Sequence, residues 1–227
     1  MERHFHMQLD HLKMTLLKMT ALAQQLFEQT LQAFIDNDEA LAMQVIDNDS
    51  QVNQFEIDID ELTLKLLALG QPMAKDLRFI IGALKISNDV ERIADQAVNI
   101  AERVLFFSQY PLKREIPIIF LEFNVIKEML KKAIVSLVNM DIKTAIDVRQ
   151  MDDEADLLTL QVLKNEIEYM KQDKPISDRK LLMEQSTQLI ITSRCLERIG
   201  DLSTNIAEYV AFIVSGTNIK HNNMSEL

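Results

Sequence analysis

The sequence predicts an all-α protein built as two tandem, pseudo-symmetric three-helix bundles, six long helices in all. Three observations carry that prediction. Only 4 Gly and 4 Pro interrupt 227 residues, so the chain has few breaks and favours long helices. Apolar residues recur at steps of three and four rather than in alternation. One pattern, Glu-Arg-Ile-x-Asp followed by Asn-Ile-Ala-Glu, occurs twice: Glu91, Arg92, Ile93, Asp95, Asn99, Ile100, Ala101 and Glu102 reappear as Glu197, Arg198, Ile199, Asp201, Asn205, Ile206, Ala207 and Glu208. Each pair is 106 positions apart (197 − 91), the signature of a repeated unit.

The first helix is expected over residues 5–35, with Leu9, Leu12, Leu16, Met19, Leu26, Leu31 and Phe34 on one stripe. Asp36–Glu39 breaks it, and Asp36 with Glu39 has the spacing of a capping box. The second helix runs to about Leu69, where Gly70-Gln71-Pro72 stops it. The third covers about Met73 to Ser108, and Gly82 inside it is tolerated for close packing. Residues 109–117, with two prolines and three charges, read as the linker between the halves. A fourth helix reaches about Val138. Asp141 caps a fifth that runs to about Met170, and Ser177 is positioned to cap a sixth ending at Gly216. The tail from His221 is polar and expected to be loose. The units are then 1–110 and 111–227. Residues 36–49 align with 139–152 at an offset of 103, so the second half has three extra residues near Pro175.

Composition excludes several roles. A formal charge of −11 and the lack of clustered Lys and Arg argue against nucleic-acid binding. Cys195 is the sole cysteine, so no intrachain disulfide forms. It reads as a small packed residue. The N-terminal stretch has no unbroken apolar core, so no secretory leader is expected. No apolar run approaches the roughly 20 residues needed to span a bilayer. Membrane association is therefore expected only at the periphery.

On a helical wheel Glu102, Asp95 and Asn99 fall within about 80° of Glu91, opposite Ile93, Ala94, Ala97, Ile100 and Val104. Glu197, Asp201, Asn205 and Glu208 repeat the ridge. A solvated acidic face is the ordinary reading of such a ridge. Like charges at i,i+4 are mildly unfavourable, however, and the spacing occurs twice, which favours a bound cation. Asp49 with Asn53, and Asp152 with Asp156, supply further i,i+4 oxygen pairs on the second and fifth helices. Asp49 and Glu91 each lie 21 residues from Gly70, so an antiparallel hairpin brings them level. Two unequal metal sites are expected: Asp49, Asn53, Glu91 and Asp95, with a neutral amide in the fourth place, and Asp152, Asp156, Glu197 and Asp201. Hard oxygen donors of this kind suit magnesium, manganese, calcium or iron better than a structural zinc site. No Glu-x-x-His of the ferritin-like type occurs. His4, His6 and His11 read as exposed helix residues rather than ligands.

ALKISNDVERIADQAVNIAERV and SRCLERIGDLSTNIAEYV resemble the two signature segments of the PhoU family, and ALGQPMAKDLRFIIGALKIS resembles the segment leading into the first. The likeness extends over nearly the whole chain. It implies two three-helix repeats carrying multinuclear clusters or divalent cations (iron, zinc, manganese or magnesium) on Glu/Asp-x-x-x-Asp motifs. Glu91 and Asp95 match the first signature, Glu197 and Asp201 the second, and Asp152 and Asp156 the aspartate pair facing it. Asn53 stands where the family pattern prefers aspartate.

The resemblance further implies a non-enzymatic, cytoplasmic adaptor, acting as a homodimer. Its expected partners are the ATPase subunit of the phosphate ABC importer and a phosphate-sensing histidine kinase, and its effect is repression of phosphate-starvation genes. The competing class is a metal-dependent hydrolase or oxidase on the same carboxylates. No residue in the sequence offers that chemistry a placed acid or base.

Overall fold

The computed structural model describes residues 2–172 and 175–216. Six helices follow in order: α1 Glu2–Asp36, α2 Glu39–Gly70, α3 Ala74–Gln109, α4 Pro117–Asn139, α5 Ile142–Met170 and α6 Ile176–Ser215. No strand occurs among the described residues. The polar tail expected to be loose lies outside them.

The helix spans follow the apolar periodicity, but three of the expected ends fall elsewhere. Asp38, not the Asp36–Glu39 box, caps α2: its backbone is extended and its carboxylate accepts from the Leu41 N–H at 3.0 Å. Gln71, not Gly70, takes the left-handed conformation that ends α2. Pro175 is the N-cap of α6, and Ser177 falls inside the helix. Pro at this boundary has its φ already suited to entry. Asp141 caps α5 as expected, accepting from Lys143 and Thr144.

Packing divides the helices into α1–α3 and α4–α6, each set in mutual contact. The two sets then join through equivalent helices, α3 against α6 and α1 against α4. One hydrophobic core runs through both. At the α1–α4 join, Phe27 stacks on Phe123 with ring centres 6.2 Å apart, and Phe34 meets Phe120 and Phe123 at 6.0 and 5.1 Å and Phe107 of α3 at 5.8 Å. At the α3–α6 join, a Cβ placed on Gly82 would sit 2.5 Å from Ile213 Cδ1 and 2.6 Å from its Cγ1. The missing side chain at Gly82 is what lets the two helices approach.

The linker is tied down at both ends. Gln185 of α6 donates to the carbonyls of Tyr110 and Pro111 at 3.0 and 3.2 Å. Arg114 donates to the buried Glu166 carboxylate of α5 and lies 3.9 Å from the centre of the Tyr169 ring.

Candidate metal centres

Asp49 and Asn53 share one face of α2 because one helical turn separates them. Val45, Val52 and Ile59 fill the core behind them. The Asn53 amide donates to Asp49 Oδ2 at 3.0 Å. This turns the Oδ1 atoms of both residues inward, where each is buried without a hydrogen-bond partner. Buried oxygens are rarely left so.

Glu91 and Asp95 approach from α3. Their apolar neighbours Ile93, Ala94, Ala97, Ile100 and Val104 are all buried, so core packing fixes the rotation that presents the carboxylates to α2. Glu91 is pushed up to about 7, first by loss of solvent and then by the charges of Asp95, Glu56 and Asp49, against a small opposing effect of Arg92. Asp95 is raised by partial desolvation and by Asp49, with Arg198 opposing. Asp49, Glu91 and Asp95 are therefore electrostatic neighbours, and Asn53 joins them through its hydrogen bond to Asp49.

The second group assembles between α5 and α6. Asp152 is raised by desolvation, then by Asp201 and Asp156, and accepts from Thr204 Oγ1 at 3.3 Å. Asp201 is raised by desolvation, then by Glu197 and Asp156, while Arg194 and Arg198 lower it. Arg194 donates to Glu197.

Sequence reasoning missed two carboxylates here. Glu56 belongs to the first group: it bears on Glu91, and its own pKa is raised by desolvation, Asp60 and Asp95. Its signal was present, since it lies three residues past Asn53 and seven past Asp49 on the same stripe. At an offset of 103 its counterpart is Thr159, whose hydroxyl donates at 2.6 Å to the second missed carboxylate, Glu122. Glu122 is fully buried on α4 and also accepts from Ser193 of α6. Glu102, placed on the expected ridge, pairs instead with Arg103 at 2.8 Å and acts on Cys195, away from the first group. Cys195 is a packed residue, as expected, with its thiol pushed up by burial. His4, His6 and His11 lie exposed on α1.

The donors fit a hard cation in kind. All are oxygens, several repel one another, and two are buried without partners. Asp49, Asn53, Glu91 and Asp95, with Glu56 beside them, would hold an ion in the first group; Asp152, Asp156, Glu197 and Asp201 would hold one in the second. Such an ion supplies positive charge that relieves the carboxylate repulsion. Among the described residues no three His, Cys, Asp or Glu side chains already close on one point, so side-chain rotation accompanies any loading.

A family model for the PhoU domain matches the chain twice, over residues 16–104 and 121–210. The chain belongs to the PhoU family. The two matches span both hairpins, α2–α3 and α5–α6, that assemble the carboxylate groups. A phosphate-specific transport system accessory protein PhoU homolog of Pseudomonas aeruginosa is 34% identical over 223 residues, covering 96% of this chain and 88% of that one. The Aquifex aeolicus protein of the same name is 32% identical, covering 96% of both. Among solved structures, PhoU from Pseudomonas aeruginosa superposes with a TM-score of 0.87 at 32% identity, over 94% of this chain and all of that one. The phosphate transport system regulatory protein PhoU from Streptococcus pneumoniae gives 0.84 at 26% identity, over 95% and 99%. The PhoU resemblance read from the two signatures is borne out, and with it the all-α fold.

Proposed function

We propose that this PhoU protein is a non-enzymatic adaptor that restrains a high-affinity phosphate ABC importer and holds phosphate-starvation signalling off when phosphate is ample. The observation that carries this reading is the pair of PhoU repeats, each with its signature carboxylates set against a second acidic helix. The named relatives are accessory proteins of phosphate-specific transport, which supports a regulatory role. Contact with the importer's ATPase subunit and with a sensor histidine kinase follows from the same reading. So do a homodimeric state and a cytoplasmic position held at the membrane through those partners. No helix among the described residues is long and apolar enough to cross a membrane, and this agrees with such a position. Deleting the gene is expected to derepress phosphate-starvation genes at high phosphate, read by transcript levels and phosphate uptake. Normal repression together with normal uptake control in the deletion strain overturns the proposal.

Within this reading the two carboxylate groups bind divalent cations. Asn53 leaves the first group short of one charge, and Glu56 narrows that deficit. Ligand charge tunes affinity in oxygen sites. Asn53→Asp is therefore expected to tighten the first site several-fold and Glu56→Gln to weaken it, while Asp156→Asn weakens the second. Calorimetric titration of manganese into each variant checks all three. An unchanged weaker binding step in both Asn53→Asp and Glu56→Gln removes these residues from the ligand shell.

A further inference from the structure

We infer that the groove along the α3–α6 seam is a binding site for a small phosphate-type oxyanion. The groove has a volume of about 580 Å³. Its walls carry Arg92, Arg194 and Arg198 with the amides of Gln96 and Asn205, over an apolar floor that includes Leu202 and Cys195. Arg92 and Arg198 hold the same place in the two copies of the motif. Because α3 packs on α6, the duplication delivers both guanidinium groups to one groove. A protein with formal charge −11 thus gathers three arginines in one groove, with Glu197 and Asp201 as the acids that line it.

The acids satisfy this charge only in part. Glu197 is taken by Arg194, and Asp201, raised by Glu197 and Asp156, is shared between Arg194 and Arg198, which both lower it. Among the described residues Arg92 pairs with Asp89 alone, at a long 3.5 Å. Arg198 has no hydrogen bond or ion pair with any described residue, although its charge lowers both Asp95 and Asp201. Two like charges drawn into one cleft repel, and an anion between them removes the repulsion. Guanidinium forks match the oxygens of a tetrahedral oxyanion two at a time. Amide donors from Gln96 and Asn205 can complete its shell. A second groove continues from the first through shared Arg92 and Asn205. Beside Lys85, which lies 5.4 Å from the centre of the Tyr209 ring, that groove carries Glu56, Asp60 and Asp89, so the anion site is confined to the first groove. None of this depends on which partner the protein regulates.

Calorimetric titration of the full chain, stripped of metal by chelation, tests the site with orthophosphate and, separately, with ATP as the phosphate source. Saturable binding is expected, weakened about tenfold by Arg92→Gln or Arg198→Gln and lost in the pair. Lys180→Gln, about 27 Å along α6 from Arg198, is expected to bind as the parent does. Orthophosphate binding marks a site for the free ion. Binding of ATP alone, lost in the double variant, marks one for a nucleotide's phosphoryl groups. No saturable binding of either probe overturns the inference, as does parental affinity in both single variants at an unchanged melting temperature.

Discussion

Glu122→Gln is expected to stabilise the protein by about 3 kcal/mol at pH 8 and by nearly nothing at pH 4.5. Glu122 is fully buried. Its partners are hydroxyls, Thr159 Oγ1 at 2.6 Å and Ser193 Oγ at 2.9 and 2.7 Å, and no cation among the described residues is paired with it. Two hydroxyl donors offset only part of the cost of burying a charge. Desolvation therefore pushes the group up from 4.5 to about 7, with Glu197 adding to the effect.

Between those values the folded protein binds a proton that the unfolded chain has released, so stability falls as pH rises through the window. The deficit is complete above about pH 7, and one pKa unit corresponds to about 1.4 kcal/mol. Glutamine keeps an oxygen to accept from Thr159 and Ser193 and carries no charge. Urea unfolding at pH 5 and pH 8 reads the difference. An effect of the same size at both values means that ionisation of Glu122 is not its source.

The second expectation is a loss of about 3 kcal/mol in Arg114→Ala. The Arg114 guanidinium is the only cation paired with the Glu166 carboxylate among the described residues, and that side chain is only 5% exposed. Removing one partner of a buried pair strands the other, and the stranded charge carries most of the cost. The Tyr169 ring also loses a cation above its face. Lysine is expected to rescue only in part, because an ammonium cannot stack flat on the ring while reaching the carboxylate. Glu166→Gln in the Arg114→Ala background should recover most of the loss. If the double variant is as unstable as the single, the cost lies in freeing the linker rather than in the stranded charge.

How much of this was legible in the sequence differs between the helices and the site. Helix spans were readable because a stripe such as Leu9, Leu12, Leu16 and Met19 averages over many residues. Helix ends were not, because each rests on one side chain among several suitable neighbours. Asp36 and Asp38 both offer a capping carboxylate, and only the path of the chain after Asn37 selects Asp38. Gly82 was readable as a packing glycine, but Ile213, the residue it makes room for, was not. At the site, Asp49 with Asn53 and Asp152 with Asp156 announced themselves as one-turn pairs. Which face of α3 they meet depends on helix rotation, and that is fixed by the buried side of Ile93, Ala97 and Ile100. Glu122 stood in plain view as a charge on the stripe of Ile119, Phe123 and Ile126. Its role stayed hidden because its partners lie 37 and 71 residues away.

The seam between α3 and α6 has a further meaning. A contact between equivalent faces of two equivalent units is the geometry of an isologous dimer interface. Here both copies lie in one polypeptide, so the association is intramolecular and insensitive to protein concentration. Fusion also releases each copy from identity. In a true dimer one codon sets both subunits, and Asn53 could not differ from Asp156, nor Glu56 from Thr159. The single chain can specialise one half while the other keeps the ancestral arrangement.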